Sequence, residues 1–399
     1  MYKRQDFELL RYPVYLPIAL NLVEQGDLRG LDAIGAMAFP EATAALIQLS
    51  KSANEEAAAK ASRLLLARMP SPYVRFNDSR PSRRSYLLER SWDENTKAAV
   101  LPIAWKLLSA TDREDIIRGA QMVGAFGSET DLPQLIEIMD RVLVDMVSNT
   151  VEQNAYLRPR CASDSMAGAA GMLLERGAEP PTSTTSPGRA VTWIIAISKD
   201  ENFRPEGWQE TARNLITHEI PFVRFMALRN HPDSVEGATA ATIAKAMSSD
   251  SDAVQGAACE LAKRVKLNTF AQPLIEVLKT ADNDWVMRAA FHAASECGVE
   301  NDRRLELCLD RMHSQNNDWN ILILSLLIDG SLETNGASYK SIENWGKILP
   351  GLQNAWRKFI AENRTELRAG KLRHSDASSL SEKMFPPDYT VRYPSDSQD

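Results

Sequence analysis

The sequence predicts an all-α protein, an α-solenoid in which antiparallel helix pairs stack one on the next. Three observations support this prediction. Apolar residues recur at the i, i+3, i+4, i+7 spacing of one helix face, for example Leu132, Leu135, Ile136, Met139 and Leu143. No comparable stretch alternates apolar and polar residues with the period of two that marks a half-buried strand. The helical stretches come in pairs that recur at a nearly constant interval, which is the signature of a repeat architecture.

The pairs can be followed along the chain in two blocks. Within 39–147, PEATAALIQLSKS precedes EEAAAKASRLLLARM, and LPIAWKLLSA precedes DREDIIRGAQMVGAFG. Within 207–330, where the pattern is clearest, three pairs follow one another: VEGATAATIAKAM with AVQGAACELAKRV, TFAQPLIEVLKTA with WVMRAAFHAASEC, and DRRLELCLDRM with WNILILSLL. We expect one elongated repeat domain that covers residues 6–370.

The second helices of these pairs align position by position. One apolar position holds Val223, Val254, Val286 and Asn320. The intervals between them are 254 − 223 = 31, 286 − 254 = 32 and 320 − 286 = 34 residues. Four residues later the chain has mostly small residues, as expected where a neighbouring helix approaches closely: Ala227, Ala258, Ala290 and Leu324.

An aspartate precedes three of these aligned positions by two residues: Asp252, Asp284 and Asp318. A carboxylate there can accept hydrogen bonds from the free N–H groups of the first turn and face the positive end of the helix dipole. Two of the aspartates belong to a repeated Asn-Asp-Trp, with Trp285 and Trp319 lying 319 − 285 = 34 residues apart. We therefore interpret Asn-Asp-Trp as a capped turn between paired helices, with the tryptophan covering the joint. The alternative is that Trp285 and Trp319 form an exposed aromatic ledge that binds a partner.

The polar turn, the aspartate and the Val-x3-Ala pattern of the second helix resemble HEAT-type repeats, in the short form found in bacteria. The Trp-Leu-Gly-Tyr pattern of tetratricopeptide repeats and the Thr-Pro-Leu-His of ankyrin repeats are both missing from the sequence. The resemblance implies a HEAT/armadillo-like α-solenoid that acts as a binding scaffold. It transfers no catalytic residue to this chain.

Three stretches interrupt the pattern: 70–94, 177–188 and the polar, Pro-rich tail 371–399. We interpret the first two as loop insertions and the third as an extended tail. Just before the tail, one amphipathic helix is expected to close the stack, and its residues Trp356, Phe359, Ile360, Asn363 and Leu367 follow the helical spacing.

The first five residues, MYKRQ, resemble the translated end of a transposase sequencing adapter. We therefore expect residues 1–5 to be foreign and the gene to continue upstream of Asp6, which leaves open whether a leader or a further repeat precedes it. A natural basic N-terminus is the alternative.

The first insertion carries the most distinctive charge pattern of the chain. Within its residues 73–90, five arginines stand against Asp78 and Glu89, a local charge of 5 − 2 = +3: Arg75, Arg80, Arg83, Arg84 and Arg90. Guanidinium groups bind carboxylates and phosphates in a bidentate manner, so Arg75, Arg80, Arg83 and Arg84 are candidates for gripping an anionic partner. The alternative is a solvated insertion whose aromatic residues pack on the adjacent repeat.

The composition excludes some classes of function. The 399 residues carry a net charge of −7, which argues against a general binder of polyanions, and no apolar run reaches the ~20 residues of a membrane span. The four cysteines form no CxxC pair, and we expect small buried hydrophobic residues in a reducing, cytoplasmic setting rather than disulfides or metal ligands: Cys161, Cys259, Cys297 and Cys308.

The sequence contains no HExxH, P-loop, GxSxG or Rossmann fingerprint. We therefore expect no catalytic residue, no cofactor and no metal, and a protein or peptide partner with some basic character. The alternatives are a HEAT-like alkylpurine DNA glycosylase and a phycobilin-lyase-like accessory protein. The former needs rows of basic residues on the second helices, where the sequence offers only Arg224, Lys263, Arg264 and Arg288.

Overall fold

The computed structural model describes residues 13–37, 39–68, 94–147, 162–233, 235, 237–313, 317–327 and 345–369. The chain divides into two units, one up to Ala196 and one from Ile197 onwards. Every regular element of the described ranges is a helix. The prediction of an all-α protein is thus confirmed for this part of the chain.

The first unit contains eight described helices and the start of a ninth, which spans the boundary. In chain order they are α1 Leu16–Glu24, α2 Arg29–Ala36, α3 Pro40–Leu49, α4 Glu55–Arg68, α5 Glu94–Leu108, α6 Arg113–Phe126, α7 Leu132–Val147, α8 Ala162–Glu175 and α9 Pro187–Lys199. Single 3-10 turns at Pro13–Tyr15 and Glu129–Asp131 precede α1 and α7. The two pairs expected within 39–147 are α3 with α4 and α5 with α6.

Helix α6 packs against both α5 and α8, and glycines allow the close approach on each side. A Cβ built on Gly119 would lie 2.5 Å from the backbone nitrogen of Leu108 and 2.6 Å from the carbonyl oxygen of Ala104, both in α5. On the α8 side, a Cβ on Gly124 would lie 3.0 Å from the Cα of Ala169. A larger residue at Gly119 would force the backbones apart, so glycine is required there despite its low helix propensity.

Side chains satisfy the free backbone groups at both ends of α6. At its start, the Asp112 carboxylate accepts a hydrogen bond from the backbone N–H of Asp115 at 3.0 Å. At its end, the Arg176 guanidinium donates to the carbonyls of Gly127 at 2.7 Å and Ala125 at 2.9 Å. A cation at the C-terminal end of a helix also faces the negative end of the dipole.

The second predicted insertion, 177–188, is shorter than expected because α9 already begins at Pro187. The N-terminus of α9 is held against α7: the backbone N–H of Gly188 donates to Asp140 at 2.6 Å. A Cβ on Gly188 would lie 2.7 Å from the Ile136 carbonyl oxygen, so this contact also requires glycine. Nearly all of the first predicted insertion, 70–94, lies outside the described residues, and α5 starts at its last residue.

The second unit contains ten further described helices. They are α10 Trp208–Ile216, α11 Pro221–Arg229, α12 Gly237–Ala246, α13 Asp252–Val265, α14 Ala271–Thr280, α15 Asp284–Glu296, α16 Asn301–Leu309, α17 Asn317–Leu327, α18 Trp345–Glu362 and α19 Arg364–Arg368. A 3-10 turn at Asn268–Phe270 leads into α14. The three pairs expected within 207–330 are α12 with α13, α14 with α15, and α16 with α17.

Helices of the second unit contact one another in a regular order. Each first helix packs against its own second helix, from α10 on α11 to α16 on α17. Among the second helices, α13 packs against both α11 and α15. The aligned small residues lie in these contacts, since Ala258 and Ala290 are both fully buried. The aligned valines are buried as well, which supports the alignment of the pairs: Val223, Val254 and Val286.

Arginines connect successive pairs by binding exposed carbonyl groups at helix ends. Arg264, at the end of α13, donates to the carbonyls of Arg229 and His231 at the end of α11, each at 3.2 Å. Arg311, after α16, donates at 2.8 Å to the carbonyl of Ala281, which follows α14. These bonds satisfy carbonyls that have no partner within their own helix.

The closing helix predicted before the tail is in fact two helices. The helix is interrupted at Asn363, between α18 and α19. The side-chain amide of Asn363 donates a hydrogen bond to the Phe359 carbonyl at 2.8 Å. Trp356, Ile360 and Leu367 are buried as predicted. The prediction of one continuous helix was wrong because the Asn363 side chain offers the backbone a local alternative to helical hydrogen bonding.

Helix α19 is anchored on a buried carboxylate. The Asp302 side chain, 3% exposed, accepts hydrogen bonds from Arg368 at 3.0 and 3.1 Å and lies 3.1 Å from Arg364 Nε. Residues 1–5 and the tail 371–399 lie outside the described residues. The solenoid arrangement and the single repeat domain remain predictions.

Candidate functional site

The first Asn-Asp-Trp forms the N-terminal end of α15, and its asparagine is the capping residue. The Asn283 side-chain oxygen accepts hydrogen bonds from the backbone N–H groups of Trp285 at 2.9 Å and Val286 at 3.3 Å. Asp284 is the first residue of the helix, where its charge faces the positive end of the dipole. The prediction of a capped turn is confirmed here, but the cap is Asn283 rather than the aspartate. An N-cap residue precedes the first helical residue, and Asp284 is already inside the helix.

The aspartate at the matching position of the preceding pair joins this cap. Asn283 donates its side-chain N–H to the Asp252 carboxylate at 3.0 Å, across from α15 to the start of α13. The amide of Asn283 thus links the N-terminal ends of two successive second helices. Asp252 binds the neighbouring cap instead of capping its own helix.

The tryptophan of the second Asn-Asp-Trp lies in a more buried environment than that of the first. Trp319 is buried, 5% exposed, and its indole N–H donates to the Arg311 carbonyl at 2.8 Å. The Arg311 guanidinium lies 5.7 Å from the centre of the Trp319 ring. Trp319 therefore closes its own turn, and little of its ring is accessible to a partner.

A buried asparagine completes this turn. Asn320 stands where the other aligned second helices have valine, and it is fully buried. Its side chain accepts from the backbone N–H of His313 at 2.8 Å and donates to the carbonyl of the same residue. The Asn320 amide thereby pairs with both backbone groups of His313, in the segment between α16 and α17.

Trp285, by contrast, is 39% exposed. Its ring lies against Gly256 of α13, where a Cβ would come within 2.4 Å of Trp285 Cζ3. Gly256 lacks a side chain, so the indole rests on the helix backbone. The ring is thus held in place while more than a third of the side chain stays open to solvent.

Four exposed aspartates lie at the N-terminal ends of α13 and α15. Asp250 and Asp282 belong to the turns before these helices, and Asp252 and Asp284 are their first residues. Arg224 lies 4.0 Å from Asp250, and Arg311 lies 2.5 Å from Asp282. Among the described residues, Asp252 and Asp284 have no cationic partner within ion-pair distance. We call Trp285, Gly256, Asn283, Asp252 and Asp284 together the Trp285 surface.

The basic residues proposed as partner contacts in the first insertion, Arg75, Arg80, Arg83 and Arg84, lie outside the described residues. Two basic residues of the second helices contact other groups of the chain. Arg224 lies next to Asp250, and Arg264 donates to carbonyls at the end of α11. Both therefore already have partners within the chain, which leaves them less available for phosphate groups.

Three cysteines are buried and free, as predicted: Cys259, Cys297 and Cys308. Burial raises the pKa of the Cys297 thiol to about 11 and raises the pKa of the Cys259 and Cys308 thiols as well. Near neutral pH these sulfurs remain protonated, so none of the three is a thiolate nucleophile. Cys161 lies outside the described residues.

His231 is the most deeply buried histidine of the described residues. Its Nδ1 lies 2.7 Å from the Pro232 carbonyl oxygen, to which it donates, and its Nε2 has no partner in the described part of the chain. Burial lowers the pKa of His231, so the ring is neutral near pH 7. Within the described ranges, no three His, Cys, Asp or Glu side chains converge as metal ligands would.

No helix in the described part of the chain combines the length and apolar character needed to cross a membrane. A scan against protein-family models and a search of curated proteins each found no match to this chain. The resemblance to HEAT-type repeats therefore stays a prediction that rests on the repeat residues themselves.

Proposed function

We propose that the chain is a non-enzymatic scaffold that binds a protein or peptide partner, built on a HEAT-like α-solenoid. The order of helix contacts in the second unit supports this proposal, because each pair packs within itself and second helices pack against their successors. Stacked pairs of this kind present extended surfaces for partners.

The observation that carries the proposal is the exposed position of Trp285. The same tripeptide occurs one pair later, and there the tryptophan is buried and hydrogen bonded. Leaving an indole 39% exposed forgoes part of the stabilisation that its burial would give. Tryptophan is enriched in the energetic centres of protein interfaces, where a partner supplies the missing burial.

Site-specific photo-crosslinking tests the proposal. We would replace Trp285 with a benzophenone amino acid in residues 6–399 and irradiate the protein in lysate of the source organism. Ala241, an exposed residue of α12, is the matched control position. We expect one discrete protein adduct from position 285 and none from position 241. The same set of adducts from positions 285 and 241, or enrichment of nucleic acid instead of protein, would contradict the proposal that a protein partner binds through this surface.

A second arm addresses the predicted contacts in the first insertion. If the insertion belongs to the interface, the charge-reversed variant Arg80→Glu, Arg83→Glu, Arg84→Glu should lose the adduct formed at position 285. If the adduct persists at the same yield, the interface is confined to the Trp285 surface. Loss of the adduct together with loss of the helical circular dichroism signal would indicate a folding defect. The helical signal of the charge-reversed protein is therefore compared with that of the parent first.

A further inference from the structure

We propose that the Trp285 surface recognises a basic peptide segment of its partner, with an arginine or lysine side chain over the exposed indole ring and Asp252 and Asp284 pairing its charge. This inference rests on the proposed function, since it specifies the chemistry of the partner at the same surface. Three observations support it independently of one another.

The first observation concerns how the other aromatic rings of the second unit are used. Four described rings have an arginine guanidinium of the chain itself within 4.6–5.8 Å of the ring centre: Trp208, Phe225, Phe291 and Trp319. Among the described residues, no guanidinium or ammonium group lies over Trp285. A cation over an indole face is attracted by the quadrupole of the ring, and tryptophan is the best partner for it. At Trp285 an external cation can therefore make the contact that arginines of the chain make at these four rings.

The second observation is the charge around the ring. Asp250 and Asp282 each have an arginine nearby, whereas Asp252 and Asp284 have no cationic partner in the described part of the chain. Asp252 is hydrogen bonded to Asn283, the N-cap of the helix that begins with Asp284 and carries Trp285. The two carboxylates attract positive side chains and repel nucleic acid phosphates. Charge complementarity thus favours a basic segment of a protein over a nucleic acid.

The third observation is the geometry that connects ring and carboxylate. Asp252 and Gly256 are four residues apart on α13, so they lie on the same helix face about 6 Å apart along the axis. The indole rests on Gly256, and Asn283 ties the Asp252 carboxylate to the backbone of Trp285. A guanidinium in cation–π contact lies within about 6 Å of the ring centre. One side chain can therefore engage both groups.

Fluorescence anisotropy with a defined probe tests this assignment. The probe is a fluorescein-labelled peptide of alternating glycine and arginine, and its matched control carries citrulline, the neutral isostere, at every arginine. We expect the arginine peptide to bind, the citrulline peptide to bind at least about fivefold more weakly, and the affinity to fall as salt is raised.

Variants then locate the contact. Trp285→Ala should weaken binding of the arginine peptide about two- to fivefold, the range expected for one exposed cation–π contact. The double variant Asp252→Asn, Asp284→Asn should weaken it by a similar factor. Trp208→Leu, which removes a ring already covered by Arg204, should leave the affinity unchanged.

Each opposite result has a separate meaning. Equal affinity of all variants would place the peptide elsewhere on the chain and overturn the assignment. Absence of peptide binding, together with a photo-crosslinked partner at position 285, would overturn the basic chemistry while the scaffold function stands. Self-association of the chain that Trp285→Ala abolishes, without peptide binding, would identify a second copy as the occupant and likewise overturn the proposal.

Discussion

Replacing Gly256 by alanine tests whether the Trp285 ring rests on α13. In most helix interiors this change stabilises, since alanine has a helix propensity about 0.8–1.0 kcal/mol more favourable than glycine. Here the new methyl group would lie 2.4–2.7 Å from three atoms of the Trp285 ring. Carbon atoms in contact need roughly 3.5–4.0 Å, so the ring must move by about 1 Å or swing out into solvent.

The magnitude follows from these two opposing effects. Overpacking of this kind costs about 1–3 kcal/mol, which exceeds or cancels the gain in helix propensity. We therefore expect Gly256→Ala to destabilise the second unit by up to about 2 kcal/mol. In a Trp285→Ala background the steric conflict is gone, and the same substitution should instead stabilise by about 0.5–1 kcal/mol. The coupling free energy between the two positions should thus be about 1–3 kcal/mol.

Urea unfolding of the four proteins in this double-mutant cycle, followed by far-ultraviolet circular dichroism, measures the coupling. Because the chain has two units, native-state hydrogen exchange of amides in α13 and α15 is measured in parallel to locate the change. If Gly256→Ala stabilises equally with and without the Trp285 side chain, the ring does not rest on Gly256, and the description of the Trp285 surface is wrong.

Three further outcomes are expected. Ala290→Leu overfills a fully buried contact and should lower the free energy of unfolding by about 1–3 kcal/mol. Its control, Ala241→Leu at an exposed helix position, should leave the free energy of unfolding nearly unchanged. Both are measured by urea unfolding, and equal stabilities of the two variants would refute the alignment of the pairs. Asn320→Val restores the valine of the other pairs but removes both bonds to the His313 backbone, so thermal unfolding should show a loss of about 1 kcal/mol rather than a gain. Burial lowers the pKa of His231, so the unfolded chain takes up the proton first as pH falls below about 6.5. The contribution of neutral His231 to the free energy of unfolding should be fully present above that pH and decline below it. Urea unfolding as a function of pH should show a shallower decline for His231→Gln.

The sequence predicted the helices well because their signal is periodic and local. The aligned valines and alanines of the second helices are buried, and each predicted pair within 207–330 is present as two helices that pack together. Apolar periodicity reports which face of a helix is buried, and this property depends little on distant residues. The prediction failed where one polar side chain decides the backbone path, as at Asn363. Ile360 and Leu367 are both buried and seven residues apart, as on one helix face, so their spacing does not reveal the break.

The candidate site was only partly predictable. Asn-Asp-Trp identified Trp285 and the turn, but Gly256 was missed because a lone glycine in a helical stretch gives no indication of what packs against it. The sequence did contain a signal. Gly256 lies four residues after Asp252, on the same face of α13. Glycine destabilises a helix interior, so its presence there indicates that another group packs closely against it. The residue that packs on Gly256 is determined by how α15 packs against α13, and a local sequence pattern does not contain that information.

The two tryptophans of the repeated tripeptide differ in exposure, and the segments that precede them differ in residues and in length. Three residues, 281–283, separate α14 from α15, whereas seven, 310–316, separate α16 from α17. The longer turn supplies Arg311, whose carbonyl accepts from the Trp319 indole and whose guanidinium covers the ring. The shorter turn supplies Asp282, which has no donor or cation to place over Trp285. The repeated motif therefore sets the position of the tryptophan at the start of its helix, and the residues of the preceding turn decide whether the ring is covered by the chain or stays exposed.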